Sequence, residues 1–570
     1  MSGTRPAPAM HTRLLLLVLL CSLSGTPRAD ETSDADQCRL LFTRDDPALF
    51  EFVDTRESVD YDQFRGMEIA GIDPVVLPIF NEDDPEEDNW LFRTANALHI
   101  NTRESTVGRQ MILEPGNNLD PQKVRENERI LRERNYLIDA MILPQRICGD
   151  RIHLLTVVRD VWTLKPTASA SRSGGENSTS AGITQSNLAG TGQKISLGYF
   201  HTADRSGRTF SYTHPYVLGE HTRLGLDLED NSDGDVQSLN LIRPFFELDT
   251  RWEAATRVRD SRELKTIEEN GVEVNQYYQE DRFRNLQLGW SPGRQNGTVH
   301  RWRIGLTDQQ NHYEAVDRPI STPPQDQRLR YPWVSWTSIE DRFKTLSNIT
   351  HSHRHEDILL GLYNRIRLGY AHERWRSTEN AWIFSLNHEY TASLGDHHLL
   401  RVGASANGRY NLDAELPEST VYAGYARYFH FPDSRNRWFA RFRYAVGRNF
   451  KGESAFTSGG NETLRGYPDD VQRGNRQWLF SAERRRFTDI HLFNLAYLGG
   501  AAYVDAGRTW DTDAPQSRDN PVLSNFGLGL RLTPSKFNVD EVLNVDIAWP
   551  LAERDRVDHY QIIVTGRVDF

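Results

Sequence analysis

Three ionisable residues toward the carboxy-terminal end carry the sharpest chemical signal in this chain: Arg465, Glu483 and Asp505. Arg465 stands in Leu464-Arg465-Gly466-Tyr467, and an isolated arginine of this kind is ordinarily one of many solvated ones. Glu483 lies in the strand-like Gln477-Trp-Leu-Phe-Ser-Ala-Glu-Arg484 and has the parity of Ser481, so the two share a face. Asp505 belongs to Tyr503-Val504-Asp505-Ala506-Gly507, one strand later. A guanidinium held between two such carboxylates would form charge-assisted, bidentate hydrogen bonds, which is the chemistry of a lock. No His-Glu-x-x-His zinc helix and no Gly-x-x-x-x-Gly-Lys phosphate loop occurs, and no serine nucleophile elbow is expected. The chain is therefore read as a non-enzyme that needs no cofactor. His351-Ser-His353-Arg-His355-Glu356 is the one metal-like cluster. On a strand its three histidines would share a face, but a solvated loop is the reading adopted, with no metal site.

The elements that must position these residues read as strands. The ending, from Tyr560 to Phe570, alternates: Tyr560, Ile562, Val564, Val568 and Phe570 point one way, Gln561, Thr565, Arg567 and Asp569 the other. Period-two alternation marks a strand with one apolar and one wet face, and in a transmembrane barrel those faces are lipid and lumen. From Thr167 onward similar runs recur between Gly, Asn, Asp and Pro turns, among them Lys194–Tyr199, Thr222–Leu228, Val236–Ile242, Arg437–Tyr444, Asn525–Leu530 and Val542–Trp549. Counting such runs gives roughly 20 candidate barrel strands.

Composition narrows the setting. Arg5 and Arg13 precede the apolar run Leu14–Leu20, which is too short to span a bilayer as a helix and reads as a secretory signal, residues 1–29, cleaved after Ala29. Cys21 would suit a lipoprotein, but bulky Leu20 precedes it where a small residue is needed. Mean hydropathy is −0.63, a value a barrel tolerates because only alternate strand residues face lipid. The net charge of −12 argues against a nucleic-acid partner, which would select a basic face. Past the signal remain Cys38 and Cys148. In an oxidising compartment they can form one bridge or remain two thiols, and both states stay open here.

Residues 30–66 read as an acidic, irregular lead-in. Over 67–166 the pattern is β-α-α-β-β: a strand Met67–Phe80, a helix Ser105–Leu113, and a helix entered by Asp120 as N-cap with Pro121 at its first position. Strands Tyr136–Ile142 and Arg151–Val158 then flank a turn at Cys148-Gly149-Asp150. Next come Asn187-Leu188-Ala189-Gly190-Thr191-Gly192 and Tyr212-Thr-His-Pro215-Tyr216, and much later the Arg-Gly-Tyr and Tyr-Val-Asp-Ala-Gly sequences. In that order they resemble the BamA/TamA-type superfamily of outer-membrane assembly and translocation proteins.

The resemblance implies a fold in two parts: residues 67–166 as a single α+β POTRA domain in the periplasm, and 167–570 as an antiparallel transmembrane β-barrel of about 16 strands in the outer membrane. It also implies that the loop tip Arg465, Gly466 and Tyr467 folds into the barrel and is received by Glu483, Asp505 and Gly507. Gly566, Val568 and Phe570 would form the closing seam and carboxy-terminal signal. The partners implied are an unfolded or secreted client polypeptide, the lipid bilayer and periplasmic accessory proteins. Insertion or export of that client would proceed by β-augmentation at the POTRA sheet or the seam. The competing reading is a passive outer-membrane pore with a periplasmic accessory domain.

Overall fold

Successive hairpins from Leu164 onward pair edge to edge until the last strand, Gln561–Thr565, closes against the first, Leu164–Ser173. The computed structural model describes residues 38–565, apart from 56–58, 174–175, 203–204, 270–271, 318, 350–354, 451–454, 538–541 and 556. Among the described residues the closed wall holds 21 hydrogen-bonded segments, one of them the two-residue Arg294–Gln295. Twenty full strands remain, which agrees with the count of alternating runs and corrects the smaller number that the resemblance implied. Each extra hairpin widens the ring without disturbing its alternation, so strand number is free to differ between proteins that share local motifs. No helix is long and apolar enough to cross a membrane.

The outer surface follows from parity. Trp252, Trp290, Trp302 and Trp336 stand directly opposite one another across four strands and form an aromatic rung. Tryptophan at such a level suits a bilayer interface, where the ring is apolar and its N–H is wet. Leu286, Leu288, Ile304, Leu306, Val334 and Leu368, on the same outer face, are all exposed. In the last strand Tyr560, Ile562 and Val564 are exposed while Ile563 is buried, as the alternation requires. Residues 566–570 lie outside the described residues, and with them Gly566, Val568 and Phe570.

The domain before the barrel contains β1 (Arg39–Leu40), α1 (Ala48–Thr55), β2 (Glu68–Leu77), α2 (Trp90–Leu98) and α3 (Glu104–Gly108). It continues with α4 (Pro121–Arg132), β3 (Leu137–Cys148) and β4 (Arg151–Asp160). The sheet order is β1-β3-β4-β2, with β2 and β4 parallel and the other pairs antiparallel. Asp120 caps α4 by accepting from Gln122 N, and Pro121 occupies its first turn. Two stretches differ from expectation. The stretch read as irregular lead-in holds β1 and α1, because Leu49 and Val53, one turn apart, are buried against the sheet. The largely apolar run Ala48-Leu-Phe-Glu-Phe-Val53 carries this helix, which is only about two turns long. The other is α2, whose N-cap Asn89 accepts from Phe92 N at 3.0 Å.

Cys38 and Cys148 form a disulfide across a sequence separation of 110 residues, which settles the alternative left open above. It joins the start of the domain to the end of β3.

The domain seats on the barrel mouth that carries the turns at Gly190, Leu248, Arg294 and Lys536. Thr106 Oγ1 donates to Gly190 O at 2.8 Å, and Asn187 Nδ2 donates to Thr102 Oγ1 at 2.7 Å. Gly190 has φ +72°, and a Cβ there would lie 2.3 Å from Asn101 O, so the glycine serves both the turn and the close approach of the domain. Farther around the mouth, Arg132 pairs with Asp357 at 2.7 Å, Glu126 with Arg294, and Lys536 with Glu87. Burial pushes the Glu126 carboxyl above its ordinary range, although Arg294 and Arg129 face it.

Replacing Cys148 by Ser is expected to destabilise the small domain by about 2–4 kcal/mol, as loss of a disulfide closing a long loop does. Urea titration of the full chain with proteolytic detection reads this out, and the barrel's heat-dependent gel mobility should not change. Equal resistance with and without reductant would refute the bridge.

Candidate functional site

The loop after strand Asn436–Arg448 turns inward instead of away from the wall. It is braced by a two-stranded hairpin, Phe456–Ser458 with Gln472–Gly474. Between those strands comes the Arg-Gly-Tyr tip. Arg465 Nε and Nη2 donate to Asp505 Oδ2 and Oδ1, both at 2.9 Å, a bidentate pair. Its Nη1 donates to Glu483 Oε2 at 3.1 Å. The guanidinium carbon stands 3.2 Å from the centroid of the Tyr503 ring, so a cation–π contact covers the face that the carboxylates leave.

Neighbouring strands prepare the carboxylates. On strand Arg476–Leu492, Ser481, Glu483 and Arg485 share the lumenal face, and Ser481 stands opposite Asp505 of strand Ala496–Trp510. Ser481 Oγ donates to Asp505 Oδ1 at 2.7 Å and Asn525 Nδ2 to Oδ2 at 3.0 Å. Glu483 accepts from Arg485 Nε at 2.7 Å and from Arg531 Nη2 at 3.3 Å, while Arg531 also reaches Asp546 at 2.9 Å. Asp505 and Glu483 are thus oriented by other strands, and Arg465 completes a network that spans several of them.

Two glycines and a tyrosine set the depth of insertion. A Cβ on Gly466 would lie 2.6 Å from Asn525 Cβ, so the tip lies flat against the wall only as glycine. A Cβ on Gly507 would lie 2.8 Å from Leu479 Cδ2 and 3.3 Å from Leu464 Cδ2. That gap is where Leu464, fully buried, packs with Tyr467, Leu479 and Leu523. The Tyr467 hydroxyl donates to Ser524 O at 2.8 Å and lies 3.1 Å from Ala552 O, joining the loop to the ends of the next two strands.

The structure therefore gathers Arg465, Gly466, Tyr467, Glu483, Asp505 and Gly507 in one place. Tyr503, Asn525, Arg485, Arg531 and Asp546 belong to the same network and were not picked out from the sequence. Arg485 was legible, two residues beyond Glu483 on the same face. Arg531 and Asp546 were not, because their approach depends on how the strands curve around the lumen. Of the three clustered histidines only His355 is described, and its Nδ1 bonds Asp139 of the small domain at 2.7 Å; His351 and His353 lie outside the described residues. Among the described residues no group of three or more His, Cys, Asp and Glu is arranged to hold a metal.

One Gly-x-Ser-x-Gly spacing passed over in the sequence does occur, and it is not an elbow. Gly289-Trp290-Ser291-Pro292-Gly293 has the spacing of a serine nucleophile elbow. An elbow presents its serine at the top of a strand that runs into a helix. Ser291 is instead buried, donates to His300 O at 2.8 Å, and leads into the Arg294–Gln295 hairpin.

Comparison with known proteins matches the Omp85 superfamily domain to residues 187–565. No curated protein matches the chain. Among solved structures, CdiB from Escherichia coli is similar at 12% identity and a TM-score of 0.47, over 89% of this chain and 78% of that one. CdiB from Acinetobacter baumannii gives 12% identity and 0.42, over 87% and 73%. BamA from Haemophilus ducreyi lacking POTRA domains 1–3 gives 13% and 0.37, over 88% and 84%.

Removing either side of the lock is expected to cost on the order of 3–5 kcal/mol, moderated by lumenal water, because a buried charge then loses its partner. Arg465→Ala and Asp505→Ala should each lower the denaturant midpoint of the barrel, and the double variant should be no worse than the singles. Additive, small effects would show that the tip bears no load. Gly466→Ala is expected to lift the tip and destabilise by about 1–3 kcal/mol through overpacking. A protease site engineered beside Arg465, cut faster in that variant, would report the displacement.

Proposed function

From membership of this chain in the Omp85 superfamily, a superfamily of outer-membrane proteins of polypeptide insertion and translocation, we propose that the protein handles client polypeptides by β-augmentation and not by catalysis. The small domain is the POTRA-like module of this reading, placed in the periplasm, where it meets clients and accessory proteins. In its sheet the β3 flank is occupied, with Ile142 N donating to Glu128 and Ala140 O accepting from Arg132. The strand it offers is β2, an edge strand whose one strand partner among the described residues is β4. An extended client segment adds there through main-chain hydrogen bonds and needs little sequence identity to do so.

The second augmentation point is the seam. There the closing strand, Gln561–Thr565 among the described residues, meets the first, Leu164–Ser173. A client strand enters by exchanging the hydrogen bonds of that meeting, and the hydrocarbon outside forces each freed group to find a new partner at once. The observation that carries this reading is the inward lock at Arg465. A simple solute pore has no use for an internal network that clamps a loop to the strands next to its seam.

Cysteine pairs placed between Leu164–Ser173 and Gln561–Thr565 should crosslink under oxidation and stop client insertion or export, with reductant restoring it. Undiminished activity in the crosslinked protein would favour a purely lumenal route. A chain lacking residues 38–163 is expected to keep a folded, heat-modifiable barrel and to lose client handling. Retained activity would dismiss the proposed docking role.

A further inference from the structure

The small domain carries apolar surface that its own core does not use. In α2, Phe92 is buried with Ile79 and Phe80 against Leu495 of a barrel turn. Trp90, Leu91, Thr94 and Leu98 lie within about 100° of one another on the opposite side of the helix. None of the four is charged, and Trp90 and Leu98 are 73% and 71% exposed. Ile100, just past the C-cap His99, is exposed as well. Single exposed apolar residues are ordinary on a surface, whereas a contiguous set on one helix face marks a contact.

The barrel turn beside α2 adds a bulky apolar residue where the backbone favours a small polar one. Phe493 and Asn494 have φ of +52° and +57°, a geometry that suits glycine or asparagine. Phe493 is nevertheless 87% exposed, so neither turn chemistry nor packing accounts for it. Its neighbours tie it to the domain: Asn494 Nδ2 donates to Glu86 O at 2.7 Å, and Leu495 packs with Phe92. The other end of α2 reaches the lipid-facing wall. The rings of His99 and Trp162 lie 6.2 Å apart, and Leu164, two residues on, opens the first barrel strand with its side chain exposed. Leu164 has the parity of Pro166, which stands opposite Ile183, itself opposite Leu197; Ile183 and Leu197 are exposed on the outer face. Arg103 N donates to Gly190 O at 2.9 Å, in the turn that also exposes Leu188. The segment around α2 thus runs beneath the strands that meet at the closure, and its C-terminal end adjoins the lipid-facing wall.

We infer that Trp90, Leu91, Leu98 and Ile100, with Phe493, dock on the membrane leaflet that the small domain faces, the periplasmic one in the orientation proposed above. Tryptophan and leucine on one helix face partition into the headgroup boundary, and binding grows with the apolar area buried. The barrel already holds the domain at the membrane surface, so a face too small to capture a membrane from solution suffices here. Glu82, Asp83 and Glu86, exposed in the loop before α2, repel anionic headgroups, so the surface that fits is zwitterionic phospholipid. The docking needs only the barrel's membrane setting and is independent of client handling.

The test attaches nitrobenzoxadiazole to Thr94→Cys in the full chain, reconstituted in phosphatidylcholine vesicles with and without doxyl-labelled phosphatidylcholine. Asn117→Cys, which lies beside Ile69 at the far end of β2, carries the same label as a control. Doxyl quenching is expected at position 94 and not at 117, and it should persist at high salt, because an uncharged face owes little to screened charge. Adding Trp90→Ser/Leu98→Ser should lower the docked-to-free ratio about tenfold, as lost burial of one large apolar side chain predicts. Unchanged heat-modifiability and protease resistance show that the variant is folded. Absence of quenching at 94 in the chain that keeps Trp90 and Leu98, or equal quenching at both positions, overturns the docking. So does quenching that disappears as salt rises. Energy transfer between labelled copies without lipid quenching assigns the face to a second copy, and shielding of position 94 only on addition of periplasmic protein assigns it to an accessory partner; either result also overturns it.

Discussion

Hydrocarbon offers no hydrogen-bond partner to a peptide group, so a chain that crosses a bilayer as strands has to close them into a ring. Here closure is achieved with twenty full strands, and the wall's other properties follow from it. Outward side chains become an apolar belt with a tryptophan rung, and inward ones become the lining of a wet space. The weakest place in such a ring is where its two ends meet. In this molecule the charge network around Arg465 is built on strands leading up to that meeting.

A charged interior needs counter-charges that the wall itself supplies. Arg465 enters from a loop and is met by Asp505 and Glu483, each already oriented by a neighbour on another strand. Because Ser481 and Asn525 also donate to Asp505, the carboxylate is held in place before the guanidinium arrives. That preorganisation limits the entropy lost when the loop folds inward.

The small domain is held at the mouth by polar pairs spread around the ring, together with an apolar cluster in which Ile79, Phe80 and Phe92 meet Leu495 of a barrel turn. Arg132 with Asp357, Glu126 with Arg294 and Asn187 with Thr102 involve different barrel turns. These pairs are themselves shielded from water, so each charge depends on its partner and the domain is firmly placed. Glycine at position 190 is where that docking and the hairpin turn impose one requirement together.

What was legible in the sequence was local. Period-two alternation announced strands, their number and their outer faces, because side-chain direction in a strand depends only on residue parity. The cap at Asp120 and the turn glycines were equally readable, since each acts within a few residues. The pairing of Arg465 with Asp505 and Glu483 could be anticipated from parity together with a family resemblance, but not its completion. Helix α1 escaped notice because it is only eight residues long, and the burial of Leu49 and Val53 depends on a sheet formed far along the chain. A Gly-x-Ser-x-Gly spacing proved to be a hairpin, with its serine buried in hydrogen bonds. The Cys38–Cys148 bridge and the sharing of Glu483 by Arg485 and Arg531 were decided by tertiary structure alone. Alternation says which face a side chain takes, whereas its neighbour on that face depends on register and on the curvature of a closed ring, both of which are global properties.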